Sequence, residues 1–129
     1  MTPPKVARGN FFEDFSVGME LVHATPRTIT AGDVAVYQGV FGPRFALQSA
    51  DTVARACGLE RAPVDDLLTF HIVFGRTVPD VSLNAVANLG YAGGRFGVPV
   101  HPGDTLRAIS TVTGVRQTSS GTTGIVWVH

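Results

Sequence analysis

The chain has little cysteine, with Cys57 the single thiol among 129 residues. One thiol excludes a disulfide within the chain and a cysteine-rich metal site. This usage fits a cytoplasmic protein, where disulfides are rare, and we expect that location. No segment approaches 18 consecutive apolar residues, so the sequence predicts no transmembrane helix. The opening MTPPKVARGN has no apolar core, so we expect no signal peptide.

Charged residues are also scarce. They make up 16 % of the chain, and ten basic side chains balance ten acidic ones. Without net charge the chain lacks the attraction that draws proteins to nucleic acids or anionic membranes, so we expect neither partner. Residues 1–10 are Pro-rich and basic, which predicts a loose tail, and the length predicts a single domain over 11–129. With 44 % hydrophobic residues, we expect a partner to cover part of its surface.

Apolar spacing and capping residues predict three helices. Thr30 suits the N-cap of a short helix over Asp33–Val40. Ser49–Cys57 has helical spacing, and Gly58 suits the position after its end. Pro63–Val78 is the longest, and its apolar face is formed by Leu67, Phe70, His71, Phe74 and Val78. We expect a sheet to bury this face.

Runs of β-forming residues predict an antiparallel sheet. The expected strands are Glu20–Thr30, Ala85–Tyr91, Tyr91–Phe96, Thr105–Val115 and Gly124–Val128. The fourth alternates well, with Leu106, Ala108, Ser110 and Val112 on one face. Helices and strands together indicate the α+β class.

Four segments, GNFFEDFSVGMEL, HATPRTITAGDVAVY, RFGVPVHPGDTL and GTTGIVWV, occur in this order along the chain. Together they resemble the MaoC-like dehydratase and R-specific enoyl-CoA hydratase family. The stretch from Phe45 to Phe96 resembles more narrowly the N-terminal hotdog half of the mesaconyl-CoA hydratases, also called β-methylmalyl-CoA dehydratases. The resemblance implies a hotdog fold, an antiparallel sheet wrapped around one long helix. In that family a further strand follows Gly124–Val128, so we expect the sheet here to lack its last strand and leave an apolar edge.

The resemblance also locates a lost catalytic pair. The family carries an Asp and, five residues later, a His, which suit the proton transfers of enoyl thioester hydration. Here Gly42 matches the glycine of that motif, but Pro43 stands at the Asp position and Gln48 at the His position. The resemblance implies a non-catalytic hotdog that forms one wall of an acyl-CoA tunnel and pairs with a second hotdog domain or a second copy. It implies no cofactor and no metal. A plain buried loop is the alternative for Pro43–Gln48.

Two further interpretations of the function stay open. The chain could be a stand-alone module that binds an acyl thioester without reacting. It could also be a hydratase with relocated acid–base residues, for which His71 and Asp66 are the candidates, because a buried neutral histidine can act as a base. The alternative for His71 is a hydrogen-bonded core histidine. Asp65 and Asp66 lie where a helix N-terminus favours negative charge, which favours a capping role.

The remaining candidates are residues that could contact acyl-CoA. Arg44 and Arg95 could meet a CoA phosphate, the alternative being ordinary surface arginines. Aromatic candidates for the tunnel lining are Phe45, Phe70 and Phe74. For His23, a structural role is favoured over chemistry.

Overall fold

The computed structural model describes residues 8–24 and 26–129. The first seven residues of the predicted tail lie outside them. The strands are β1 (Glu20–Val22), β2 (Arg27–Thr28), β3 (Thr105–Leu106), β4 (Ile109–Gln117) and β5 (Gly124–Val128). The helices are α1 (Ala31–Phe41), α2 (Asp51–Ala56) and α3 (Asp66–Thr77). No helix among the described residues is long and apolar enough to cross a membrane.

The described residues group into two compact units. The first contains residues 8–24, 74–90 and 107–129, and the second contains 26–73 and 91–106. In the first unit, β1, β4 and β5 form an antiparallel sheet in the order β1-β4-β5. Ala108, Ser110 and Val112 are buried, which confirms the face predicted from their alternation. Beside Val112 the pairing with β5 shifts, and Trp127 crosses Gly114 so closely that a Cβ there would lie 3.1 Å from its ring.

The second unit has its own apolar core. Ile29, Val64 and Ile72 are buried together, and the half-buried residues packed against them are Val34, Leu68, Val100 and Leu106. Strands β2 and β3 pair antiparallel beside this core. Val64 is fixed by its backbone N–H, which donates to the carbonyl of Val100 at 2.7 Å. The core therefore joins α3 to segments distant in sequence.

The predicted caps at the start of α1 and the end of α2 are confirmed, whereas α2 and α3 begin two and three residues later than the predicted Ser49 and Pro63. The Thr30 hydroxyl accepts from the backbone N–H of Asp33, and the Asp33 carboxylate accepts from the backbone N–H of Thr30. This reciprocal pair is a capping box. At the end of α2, Gly58 has φ +87°, and Leu59 N–H donates to the Ala54 carbonyl, as in a Schellman motif.

Several predicted strands are wrong. Glu20–Thr30 is two strands in different sheets, because Pro26 has no N–H to continue a ladder. The ladder is also interrupted at Arg107–Ala108, which separates β3 from β4. Ala85–Tyr91 and Tyr91–Phe96 form no strand, since no strand of the described residues pairs with them and residues 83–99 are all exposed.

The predicted apolar face of α3 is only partly right. Leu67 was expected to be buried, but 40 % of it is exposed. Phe70, Phe74 and Val78 are half-buried, and the buried residue of the helix is Ile72. The side of α3 that faces the core is therefore the one that carries Ile72, not the one that carries Leu67.

Candidate functional site

The segment between α1 and α2 changes from exposed to buried within six residues. Helix α1 ends at Phe41 and is capped by Gly42, whose φ of +71° few other residues adopt. Pro43 and Phe45 are exposed, and a 3₁₀ turn over Ala46–Gln48 then brings Gln48 inside, with 8 % of it exposed. The alternative of a plain buried loop is therefore wrong for its first half.

Gln48 borders a cavity of about 190 Å³ in the second unit. The lining residues are Val34, Gln38, Gln48, Ser49, Ala62, Pro63, Val64 and Pro102. The Gln38 side chain donates from Nε2 to the Gln48 backbone carbonyl at 2.9 Å, which ties α1 to the 3₁₀ turn. The Gln48 side-chain oxygen, Oε1, is buried and has no hydrogen-bond partner among the described residues. Gln48 thus lines a small cavity that is partly open to solvent, while its side-chain oxygen is itself buried.

Arg44 and Asp65 join the loop to α3. Arg44 donates from Nε and Nη2 to the two carboxylate oxygens of Asp65, at 3.0 and 2.8 Å. Asp65 is buried and also accepts from the backbone N–H of Leu67 at 2.8 Å, which confirms its predicted position as a cap of α3. Arg44 is therefore held in a bidentate ion pair and is not a free surface arginine.

The charge state of this pair follows from its surroundings. Burial by itself raises the pKa of Asp65, but the Arg44 guanidinium and the N–H groups of Leu67 and Leu68 outweigh burial and hold that pKa below its usual value. The carboxylate in turn raises the pKa of Arg44. Both groups are therefore charged at neutral pH, and neither is poised to transfer a proton.

The expectation of a buried His71 is wrong, because its side chain is exposed. In the described residues, no hydrogen bond or ion pair joins His71 to Asp66, which is also exposed. The His71 ring lies beside Phe70, with centroids 5.6 Å apart. Phe70 also meets Tyr91 edge to face at 5.5 Å. Ile72, the next residue of α3, is buried, so His71 faces the solvent side of this turn.

The other candidates lie in α3 and in the segment before β3. Phe74 is half-buried in α3, and Arg95 is exposed in the irregular segment before β3. The Arg44 guanidinium carbon lies 5.3 Å from the ring centroid of Phe45. Candidates therefore meet in the loop between α1 and α2 as well as in α3, where His71 lies beside Phe70.

Sequence reasoning missed a polar network in the first unit. His23 is buried, with Nδ1 2.7 Å from the Asp80 carboxylate and Nε2 2.8 Å from the Ser110 hydroxyl. A carboxylate, an imidazole and a serine hydroxyl follow one another here as they do in a nucleophilic triad. Ser110, however, is only 4 % exposed and borders neither described cavity. The network therefore satisfies a buried histidine, as favoured for His23. A serine on the buried face of β4 was the signal that such a partner existed.

Two known proteins are similar in sequence to nearly the whole of this chain. The β-methylmalyl-CoA dehydratase of Chloroflexus aurantiacus is 65 % identical over 125 residues, and the mesaconyl-CoA hydratase of Cereibacter sphaeroides is 58 % identical over 125 residues. Each match covers 97 % of this chain but 36 % of the relative. The chain thus spans about a third of the length of the curated relatives it matches.

Fold and family follow from two further matches. A solved structure from Mycobacterium tuberculosis, described as a double hotdog fold, superposes with a TM-score of 0.77 and 28 % identity, over 86 % of this chain and 34 % of that one. The fold is therefore the expected α+β hotdog. The MaoC like domain matches residues 14–128. Since that match takes in nearly the whole chain, the protein belongs to the MaoC-like domain family.

Proposed function

We propose that this chain is the non-catalytic hotdog of an enoyl-CoA hydratase or dehydratase, and that it forms part of the tunnel for a branched dicarboxylic acyl-CoA such as mesaconyl-CoA. The observation that carries the proposal is the pair of residues at the positions of the family's acid and base. Pro43 has no ionisable group, and the amide of Gln48 does not titrate near neutral pH. Hydration needs a base for water and an acid for the α-carbon, and these positions supply neither.

The geometry of the loop supports a role in shaping a wall. Asp65 holds Arg44 by two hydrogen bonds, so the exposed part of the loop is attached to the N-terminus of α3. Gln38 holds the end of the loop through the Gln48 carbonyl. A loop fixed at both ends keeps its shape while a ligand passes, which is what a tunnel wall requires.

Relocated chemistry is disfavoured by the position of its two residues. A catalytic base gains a perturbed pKa from burial or a charged neighbour. His71 and Asp66 are both exposed and have no hydrogen bond to one another in the described part of the chain. They have the surroundings of ordinary surface side chains.

The partner in this proposal is a second hotdog, either another domain or another copy. Helix α1 leaves three apolar side chains, Val36, Val40 and Phe41, more than two-thirds exposed. They border an open groove of about 430 Å³ that also includes Tyr37 and Leu68. In the first unit, β5 pairs with β4 along one edge, and no described strand pairs with its other edge. Exposed apolar surface and free strand edges are the features that association covers.

Two assays on the purified chain test the proposal. Hydration of mesaconyl-CoA is followed by absorbance, and binding of the same ligand by calorimetry, with free CoA as a control. We expect no turnover attributable to the chain. Turnover lost in His71→Ala supports relocated chemistry instead, and binding by a homodimer without turnover supports a stand-alone module.

The reading frame downstream of His129 gives an independent test. Under the proposal, it encodes a second hotdog with an intact GDxNPxH loop. A stop codon at that point, with acyl-CoA bound by the chain alone, favours the stand-alone module.

A further inference from the structure

Arg76, in the last turn of α3, is a half-buried cation without a counter-charge. All ten acidic side chains of the chain lie within the described residues, and none of the ion pairs there includes Arg76. Its Nε is buried and has no hydrogen-bond partner among the same residues. A charge that is taken partly out of water loses hydration, and only a partner restores that loss. The described part of the chain supplies no such partner.

The nearest acid along the helix is engaged elsewhere. Asp80 follows Arg76 by four residues, the spacing at which opposite charges meet on an α-helix. Here the helical path changes to a π-helix over Val78–Ser82, and the Asp80 carboxylate lies 2.7 Å from Nδ1 of His23. Asp80 therefore satisfies the buried histidine and leaves the guanidinium unpaired.

Two ordinary roles do not account for this placement. The helix dipole stabilises a basic residue, but the effect is confined to the last turn. Beyond α3 the helical path continues through the five residues Val78–Ser82, so Arg76 lies more than a turn before its end. A surface arginine keeps its head group in water, whereas Nε of Arg76 is enclosed.

The terminal nitrogens of Arg76 are the part of the side chain that a ligand reaches. Of the three guanidinium nitrogens, Nε is the one that is enclosed, and the other two form no hydrogen bond within the described residues. A guanidinium binds the oxygens of a carboxylate or phosphate in pairs. Two accessible N–H₂ groups beside a shielded nitrogen therefore suit an oxyanion that arrives from solvent.

We propose that Arg76 is an anion-binding residue whose terminal nitrogens hold an oxyanion of the ligand. The assignment of that anion to acyl-CoA rests on the proposed function. A branched dicarboxylic acyl-CoA offers two sources, the free carboxylate of the acyl group and the phosphates of CoA. With the first source, Arg76 selects dicarboxylic over monocarboxylic acyl groups. With the second, it holds CoA whatever the acyl group.

Titrations of the full chain with simple anions test the site without acyl-CoA. The probes are mesaconate and inorganic phosphate, and the neutral control is succinamide, all at the same ionic strength. Binding is followed in ¹H–¹⁵N NMR spectra at the Nε–H signal that is lost in Arg76→Gln. Burial of Nε slows the exchange of its proton with water, which keeps this signal observable. We expect at least one anion to shift it and succinamide to leave it unchanged.

Three larger ligands distinguish the two sources. Calorimetry compares mesaconyl-CoA with crotonyl-CoA, which has no free carboxylate, and with free CoA. The carboxylate is the source if Arg76→Gln weakens mesaconyl-CoA alone, by roughly 10- to 100-fold, the range of hydrogen bonds to a charged group. An equal loss for all three ligands assigns the phosphates. Arg107→Gln makes the same change at an exposed arginine and should leave every affinity unaltered.

Urea denaturation without ligand separates recognition from a role in folding. Arg76→Gln removes an uncompensated charge, so the midpoint of unfolding should stay the same or rise. Arg76→Lys keeps the charge but loses the planar fork, so it should recover only part of the affinity for the anion. A lower midpoint for Arg76→Gln shows instead that the guanidinium stabilises the fold, and it overturns the proposal.

The proposal is also overturned if neither mesaconate nor phosphate shifts the Arg76 signal, or if succinamide shifts it as strongly. These outcomes are separable from failure of the proposed function. If a simple anion binds at Arg76 but no acyl-CoA binds, the anion site stands and the tunnel role falls. If acyl-CoA binds equally to the unaltered chain and to Arg76→Gln, the tunnel role stands and the anion site falls.

Discussion

Replacing Asp65 with asparagine should destabilise the fold of the second unit. The buried Asp65 carboxylate accepts two hydrogen bonds from Arg44 and one from the backbone N–H of Leu67. Asparagine keeps the shape and one acceptor oxygen, but it places an N–H₂ group against donors. At least one bond to a charged partner is lost, and such bonds contribute about 1.5–3 kcal/mol. We expect Asp65→Asn to lower the free energy of unfolding by about 2–3 kcal/mol.

Urea denaturation at pH 7 measures this difference, with Asp51→Asn as the matched control. Asp51 pairs with Arg55 at 3.6 Å, and both side chains are more than half exposed. An exposed pair of this kind contributes at most about 1 kcal/mol. The pair around Asp65 should therefore be clearly more costly to break than the pair around Asp51.

The same experiment has a pH signature. The pKa of Asp65 in the folded chain lies below its usual value, so its stabilisation is complete above the unfolded pKa of about 3.9 and is lost as pH falls through the folded pKa. The difference in the free energy of unfolding between the unaltered chain and Asp65→Asn should therefore become smaller below about pH 4. The reasoning is refuted if Asp65→Asn lowers the free energy of unfolding no more than Asp51→Asn does. It is also refuted if the loss caused by Asp65→Asn stays the same in acid as at pH 7.

Three other outcomes are expected. The Asp33 carboxyl should titrate in NMR spectra with a pKa of about 2, because the Thr30 N–H and then the Arg27 guanidinium stabilise its ionised form; an ordinary pKa contradicts the capping box. Ile72→Ala should lower the free energy of unfolding by about 2–5 kcal/mol and Leu67→Ala by less than half of that, since Ile72 is buried and Leu67 is 40 % exposed. The chain should sediment at micromolar concentration as an associated species, and a clean 13.6 kDa monomer argues against a free apolar edge at β5.

The helices could be predicted because their signals are local. Each of these helix ends depends on hydrogen bonds that span a few residues. The capping residues are Thr30 and Asp33 at the start of α1, Gly58 after α2 and Asp65 at the start of α3. The same local character explains why β4 was recognised from its alternation. These elements need no knowledge of distant segments.

The sequence could not show that the central segment forms no strand, because a strand exists only beside a partner. Ala85–Phe96 has the composition of a strand, yet no described strand lies next to it. The bidentate pair of Arg44 and Asp65 was equally hidden, since its members are 21 residues apart. Their positions point to helix capping by Asp65 and phosphate contact by Arg44; the capping is confirmed, and the structure also joins the two residues to each other.

The most direct test of the central claim is the hydration rate of the chain itself. Mesaconyl-CoA is incubated with the purified chain at high protein concentration, and absorbance reports loss of the double bond. The absence of a proton-transfer pair at Pro43 and Gln48 predicts a rate indistinguishable from buffer, since loss of one such group costs roughly 10²–10⁴-fold. A rate that scales with the concentration of the chain and falls with His71→Ala would contradict the account.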